Sequence, residues 1–228
     1  MERMSQSMYR IVPHALRRLA ALRAAVAALA VAVVWIAPQA RGEVVASWNL
    51  NAVDPTQWTL YDADVGIGTL DVLGLGASAS VLQGTTLGGL KGDVAGNALA
   101  AIGTLANGTS MRLDFETGGH SDLMLSFATR RSATGPSMNR VEYWSGFGWL
   151  TAHEFASNAT AWELVEVKFS MAEFTASGFA SLRIVVDGAT SSSGSVRFDN
   201  IMVSGTPAPA PGACALLALA GCIGRRRR

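Results

Sequence analysis

Few side chains in this 228-residue chain stand at spacings that do chemistry. Its three histidines, His14, His120 and His153, are far apart, and neither of the last two is flanked by the carboxylates a hydrolytic metal centre needs. Both read as loop or strand-edge residues. Serines are plentiful, yet no G-x-S-x-G elbow presents one as a nucleophile, and Ser145-Gly146 reads as a turn. Gly66, Gly68, Gly74 and Gly76 make fragments of a phosphate loop with no helix behind them to supply a dipole. Glu142, Glu154, Glu163 and Glu166 could supply the two facing carboxylates of a glycoside hydrolase. Each falls on the polar phase of a strand or in a loop, so solvated faces are expected for all four. What remains is aromatic. Tyr143, Trp144, Phe147 and Trp149 crowd one short stretch. Exposed, such rings stack on sugars, with Arg130 or Arg131 near the ligand; buried, they are core and rim. Adjacent residues on a strand point to opposite faces, so Tyr143 and Trp144 must part company. Core is the expected place for most of the group.

These candidates need strands to position them, and the pattern supplies strands. Leu123, Leu125 and Phe127 alternate with polar residues, run into the turn-rich ATRRSATGPSMN, and return as Val141, Tyr143 and Trp144, which predicts a central hairpin. Met111, Leu113 and Phe115 alternate with Arg112, Asp114 and Glu116. Further strands are predicted over 43–50, 57–61, 162–170, 182–186 and 196–203. In the last, Val196 and Phe198 share one face while Ile201 and Val203 fall on the other, which predicts a bulge at Asp199-Asn200. The glycine-dense 63–109 should hold short strands and loops, because each interior glycine costs a helix about 1 kcal/mol. One short helical turn is expected over 170–177. About seven to nine strands without helical periodicity predict an all-β, antiparallel, jelly-roll-like β-sandwich over 43–205.

The ends differ from the body. A basic opening, the apolar run 24–37 and small residues at Ala40 and Gly42 describe a secretory signal helix over 1–42, with a retained anchor as the other reading. Arg17-Arg18 hints at a twin-arginine route. The formal net charge of +1 hides the body's sign: between Glu43 and Gly205 about 8 basic residues face about 16 acidic ones. Such a body repels phosphate backbones and excludes nucleic acid as the expected partner. Cys214 and Cys222 both lie in the final apolar segment, so no disulfide framework is available to the body.

The last segment, 206–228, reads as a Pro-rich linker, a short apolar helix over 213–224 and a basic stop. Pro209, Pro211 and Gly212, the apolar run, and Arg225, Arg226, Arg227 and Arg228 together resemble a PEP-CTERM sorting signal, although Ala210 stands where that motif has Glu. The resemblance implies an exported protein that crosses the inner membrane, is held there by its tail and processed by an exosortase-type protease, and reaches the cell surface or an exopolysaccharide matrix. The body, with its closing VRFDNIMVSG, resembles the β-sandwich domains that accompany such tails. In jelly rolls that bind carbohydrate, a late-strand acid such as Asp199 commonly holds a structural calcium with oxygens near the first strand, here Asn49 or Asn51. The competing and favoured reading makes Asp199 a bulge cap through backbone N–H groups. No other cofactor is expected. The function expected first is a non-catalytic surface sandwich; the alternative is carbohydrate binding through Trp144, Trp149 and Arg130 or Arg131, and the third reading is a hydrolase.

Overall fold

The computed structural model describes residues 42–159, 161–170, 174 and 178–207. The signal helix, the apolar C-terminal helix, the sorting residues and nearly all of the 170–177 turn lie outside the described residues. Within them the chain forms thirteen strands: β1 (Glu43–Trp48), β2 (Leu60–Asp62), β3 (Val65–Gly66), β4 (Gly68–Asp71), β5 (Ala79–Gln83), β6 (Asn97–Ile102), β7 (Thr109–Glu116), β8 (His120–Arg131), β9 (Asn139–Trp144), β10 (Trp149–Phe155), β11 (Glu163–Ser170), β12 (Phe179–Val186) and β13 (Ser195–Pro207). They exceed the expected seven to nine because the glycine-rich third breaks into pieces of two to six residues.

All pairings among the described residues are antiparallel, in two sheets. The first runs β11-β8-β13-β1-β3, with β6 and then β5 beside the leading half of β13; the second runs β10-β9-β12-β7-β4-β2. The long central strands send their apolar phase inward. Met111 and Leu113 of β7 pair with Ile184 and Leu182 of β12, and with Phe115 they share one buried core with Leu123, Leu125 and Phe127 of β8 in the other sheet. Phe127 packs edge-on against Phe155 and Phe198, with centroids 5.4 and 5.9 Å away. Removing a side chain of this size from water contributes about 1.5–3 kcal/mol, so this double layer, with Trp48, carries the fold.

The all-β sandwich stands as expected, and so does the bulge. The β13 register against β8 shifts between Asp199 and Met202, Asn200 takes a positive φ of 49°, and Val196, Phe198, Ile201 and Val203 all reach the core. The central hairpin is a correction. Strand β8 pairs with β11 and β13 in the first sheet, while β9 pairs with β10 and β12 in the second. The segment 132–138 therefore crosses between sheets, tied down by Ser132 N–H to the Ser195 carbonyl and by Ser137 and Met138 N–H to the Asp187 carbonyl. Alternation says which face of a strand is buried, not which strand lies beside it. The true hairpin is β9–β10, closed at Ser145 by its N–H and hydroxyl donating to the Gly148 carbonyl.

Candidate functional site

The outer face of the second sheet carries the residues that could act on a ligand. In β9 the inward phase holds Val141 and Tyr143, whose ring lies edge-on to Phe169 and Phe174 at 6.3 and 6.0 Å. The outward phase holds Arg140, Glu142 and Trp144, so Tyr143 and Trp144 do part to opposite faces. Trp144 sits across the ladder from Trp149, and the rings meet edge-on at 5.6 Å. Trp144 stays 38% exposed and Phe147, at the hairpin tip, 99%. Two aromatic rings thus meet at one corner, and a third, Phe147, projects into water from the adjoining turn.

Beneath them lies an ion network. Glu142, expected on a solvated face, is only 5% exposed. One carboxylate oxygen accepts from Arg140 Nε at 2.5 Å and the other from Arg183 of β12 at 2.5 Å. Burial pushes its carboxyl up, but hydrogen bonds and charge from the two guanidiniums outweigh burial and hold it below its ordinary range. A carboxylate so held cannot serve as a general acid near neutral pH. Arg183 also lies 4.5 Å from the Trp149 ring centroid, a cation–π contact that fixes the indole's seat.

Register extends this corner into two rows across the strands. Trp149 faces Trp144; carrying the β9–β12 ladder one residue beyond its Tyr143–Leu182 pair brings Trp144 beside Ser181; Ser181 faces Asp114, Asp114 faces Thr69, and Thr69 faces Asp62. The neighbouring row reads Thr151, Glu142, Arg183, Arg112, Asp71, Leu60. Ser181 donates its hydroxyl proton to Asp114, and Arg112 pairs with Asp114 at 2.8 Å and Asp71 at 3.8 Å. The facing guanidiniums of Arg112 and Arg183 are tolerated because each is bound to carboxylates.

Arg130 and Arg131 do not join the tryptophans. Both sit on β8 in the first sheet, opposite Arg197 and Val196 of β13. Arg131 donates to the carbonyls of Ser157, Ser132 and Ala133, so it holds a loop. The cation beside the indoles is Arg183, a residue the sequence alone did not single out. Its polar position between Leu182 and Ile184 marked it as outward-facing, but Glu142 lies 41 residues away in the chain. Ser181 and Asp114 were hidden for the same reason.

Asp199 lies in the bulge at 1% exposure. Its oxygens accept the N–H of Thr85 at 2.6 Å and of Asn200 at 2.9 Å, while Asn200 Nδ2 donates to the Thr85 and Leu87 carbonyls. This pair therefore clamps the loop after β5. Burial raises the Asp199 carboxyl to about 6 against these hydrogen bonds, with Asp93 raising it further. A Cβ on Gly84 would collide with Asp199 Oδ2 and lie 2.6 Å from the carbonyl oxygens of Ala95 and Asn97, so only glycine fits, and three oxygens crowd one place. Asn49 Oδ1 caps the Asn51 N–H at 3.0 Å, whereas Asn51 Oδ1 is buried against the same 95–97 segment without a hydrogen-bond partner. Of the two expected asparagines, Asn51 is thus the one with an oxygen to spare. No three His, Cys, Asp or Glu side chains converge among the described residues, so a hard cation here would lean on carbonyl and amide oxygens beside one carboxylate.

The remaining candidates have structural surroundings. His120 Nδ1 lies 2.8 Å from the Thr117 carbonyl and Nε2 3.6 Å from Glu43; His153 stacks on Phe155. Glu163 accepts the Asn158 N–H, and Glu154 and Glu166 are exposed.

No family model and no curated protein matches this chain. Its fold is similar to that of several solved structures. The CBM22-1 xylan-binding domain from Paenibacillus barcinonensis Xyn10C aligns at 9% identity and a TM-score of 0.44, over 73% of this chain and 97% of that one. TmCBM61, solved in complex with β-1,4-galactotriose, aligns at 11% and 0.41, over 60% and 86%. The K1 cleaved adhesin domain of Lys-gingipain from Porphyromonas gingivalis W83 aligns at 11% and 0.41, over 70% and 97%.

Proposed function

We propose that the domain is a non-catalytic module of an exported protein and holds a polysaccharide on the outer face of its second sheet. One observation carries this reading: Trp144 and Trp149 meet at the open corner of β9–β10, with Phe147 exposed on the turn between them and the Trp149 ring seated on Arg183 of the Arg183–Glu142–Arg140 network. Exposed aromatic rings beside hydroxyl and carboxylate groups suit the apolar faces and hydroxyl edges of sugars. The aromatics expected in the core are thus divided: Tyr143 is inside, and the tryptophans serve the surface. Affinity electrophoresis through gels containing soluble plant and bacterial polysaccharides tests the proposal. Retardation by at least one of them, lost on Trp144→Ala with thermal stability unchanged, is the expected result. Unretarded migration through every gel would end the proposal.

Export, delivery to the surface or matrix and encounter with a sorting protease rest on the terminal segments of the sequence, through the positive and apolar pattern of 1–42 and the PEP-CTERM-like residues Pro209, Pro211, Gly212 and Arg225 to Arg228. We further propose a structural calcium at Asp199 and Asn51, supported by the crowded oxygens around Gly84 and the unpartnered Asn51 Oδ1. It would fasten the 84–97 loops to β13 and take no part in recognition.

A further inference from the structure

We infer that the binding face runs the full width of the second sheet, with a second subsite at its far edge, and that its ligand is an uncharged, extended glycan laid across the strands. This rests on the carbohydrate reading above and specifies the ligand. Alongside the row, from β12 to the edge strand β2 opposite the tryptophans, lies a cleft of about 340 Å³, bounded by Phe179, Ile67, Asp62, Thr69 and Asp114. Phe179 of β12 points outward, in the same phase as Ser181 and Arg183, and is 56% exposed; Ile67, 62% exposed, lies across Glu116 of β7 from it. Gly68, between the outward-facing Ile67 and Thr69, lets β4 lie close on β7 and on the core beneath the cleft. A Cβ there would meet the Asp114 carbonyl at 2.9 Å and Phe115 and Trp48 at 3.0 Å. An aromatic wall, an aliphatic wall and a rim of carboxylate and hydroxyl groups repeat the chemistry of the tryptophan corner.

The two corners are joined. Ser181 and Asp114 bridge them, and the row from Trp149 to Asp62 crosses five strand-to-strand steps, about 24 Å at ~4.8 Å per step. An extended pyranoside chain advances by a similar distance per sugar, so about five units span the row.

Charge selects the chain. Among the described residues the face carries three guanidiniums, Arg112, Arg140 and Arg183, each paired to a carboxylate within it. Asp62, Glu116 and Glu154 add negative charge beyond those pairs. Uronate or sulfate groups would meet repulsion with no cation to receive them, whereas neutral hydroxyls find carboxylate and Ser/Thr oxygens to accept their protons.

The test is calorimetric titration of the folded domain with neutral xylo-, cello- and galacto-oligosaccharides of two to six units, and with oligogalacturonate, against wild type, Phe179→Ala and Trp144→Ala. Affinity should climb with length to about the pentamer for one neutral series, with no binding of oligogalacturonate. Phe179→Ala should leave the shortest binding oligomer unchanged and remove about tenfold from the pentamer, while Trp144→Ala weakens every length. Affinity that saturates at two or three units, with Phe179→Ala like wild type, overturns the second subsite and leaves the tryptophan corner standing. Equal binding of oligogalacturonate overturns the charge argument, and failure of wild type to bind any oligosaccharide removes the underlying reading as well. Unfolding midpoints of the variants are read in parallel, and Phe179 is exposed enough for its loss to leave them unmoved.

Discussion

Asp199 sets an uncommon pH dependence on this fold, and replacing it with asparagine isolates that dependence. The carboxyl is 1% exposed and is raised from its ordinary value of 3.8 to about 6, chiefly by burial. The native state therefore binds this proton more tightly than the unfolded chain does. Stability from this group is full below pH 3.8 and is lost as pH rises through 6, opposite in sign to the usual surface carboxylate. The distance from 3.8 to about 6, at about 1.36 kcal/mol per pH unit, gives at most about 3 kcal/mol between the two limits. The amide of Asp199→Asn would mimic the protonated acid but present one acceptor to the two N–H groups of Thr85 and Asn200, at a cost of about 1–2 kcal/mol. Urea unfolding of both proteins in chelator, followed by tryptophan fluorescence from pH 4 to 7, cancels every other titrating group in the difference. Wild type should exceed Asp199→Asn at pH 4, and the gap should close or invert by pH 7. A gap that is constant, or that widens with pH, would refute the argument that burial dominates this carboxyl.

Two other predictions follow from the same geometry. Calcium at pH 7 should raise the unfolding midpoint of wild type but not of Asp199→Asn; at a hundredfold excess over its dissociation constant the gain is about 2.7 kcal/mol, and a shift absent from both proteins removes the cation. Glu142→Gln strips the shared partner from Arg140 and Arg183, whose side chains are 35% and 28% exposed, so the loss is screened to about 1–2 kcal/mol. Because Glu142 is held below its ordinary range, its contribution is present at neutral pH and lost in acid. The margin of wild type over this variant should therefore be larger at pH 7 than at pH 3, and chemical denaturation of both proteins at the two values checks it.

The parity of single strands was legible in the sequence. A one-residue slip between Phe198 and Ile201 announced the bulge, and the adjacency of Tyr143 and Trp144 announced that one ring faces out. Neighbour identity was not legible. The turn-rich run after β8 looks like a hairpin loop, yet it carries the chain to the other sheet because Leu123, Leu125 and Phe127 find partners in β11 and β13. Glu142 looked solvated because polar phase was read as exposure; the phase was right, and the arginines that bury it come partly from a distant strand. Gly84 looked like one more loop glycine, and its reason is a carboxylate that arrives only with the last strand of the chain.

Strand β1 and the end of β13 lie side by side, with Glu43 opposite Gly205, so the polypeptide enters and leaves the sandwich at one place. Held by both extremities, the domain would feel tension on that outermost rung first and open like a zipper, one backbone bond at a time. Held by its trailing end alone, it bears no load between β1 and β13. Load applied elsewhere on the domain would then reach that end through β13, which is gripped by β8 along nearly its whole length, in the shearing direction where many bonds must fail together.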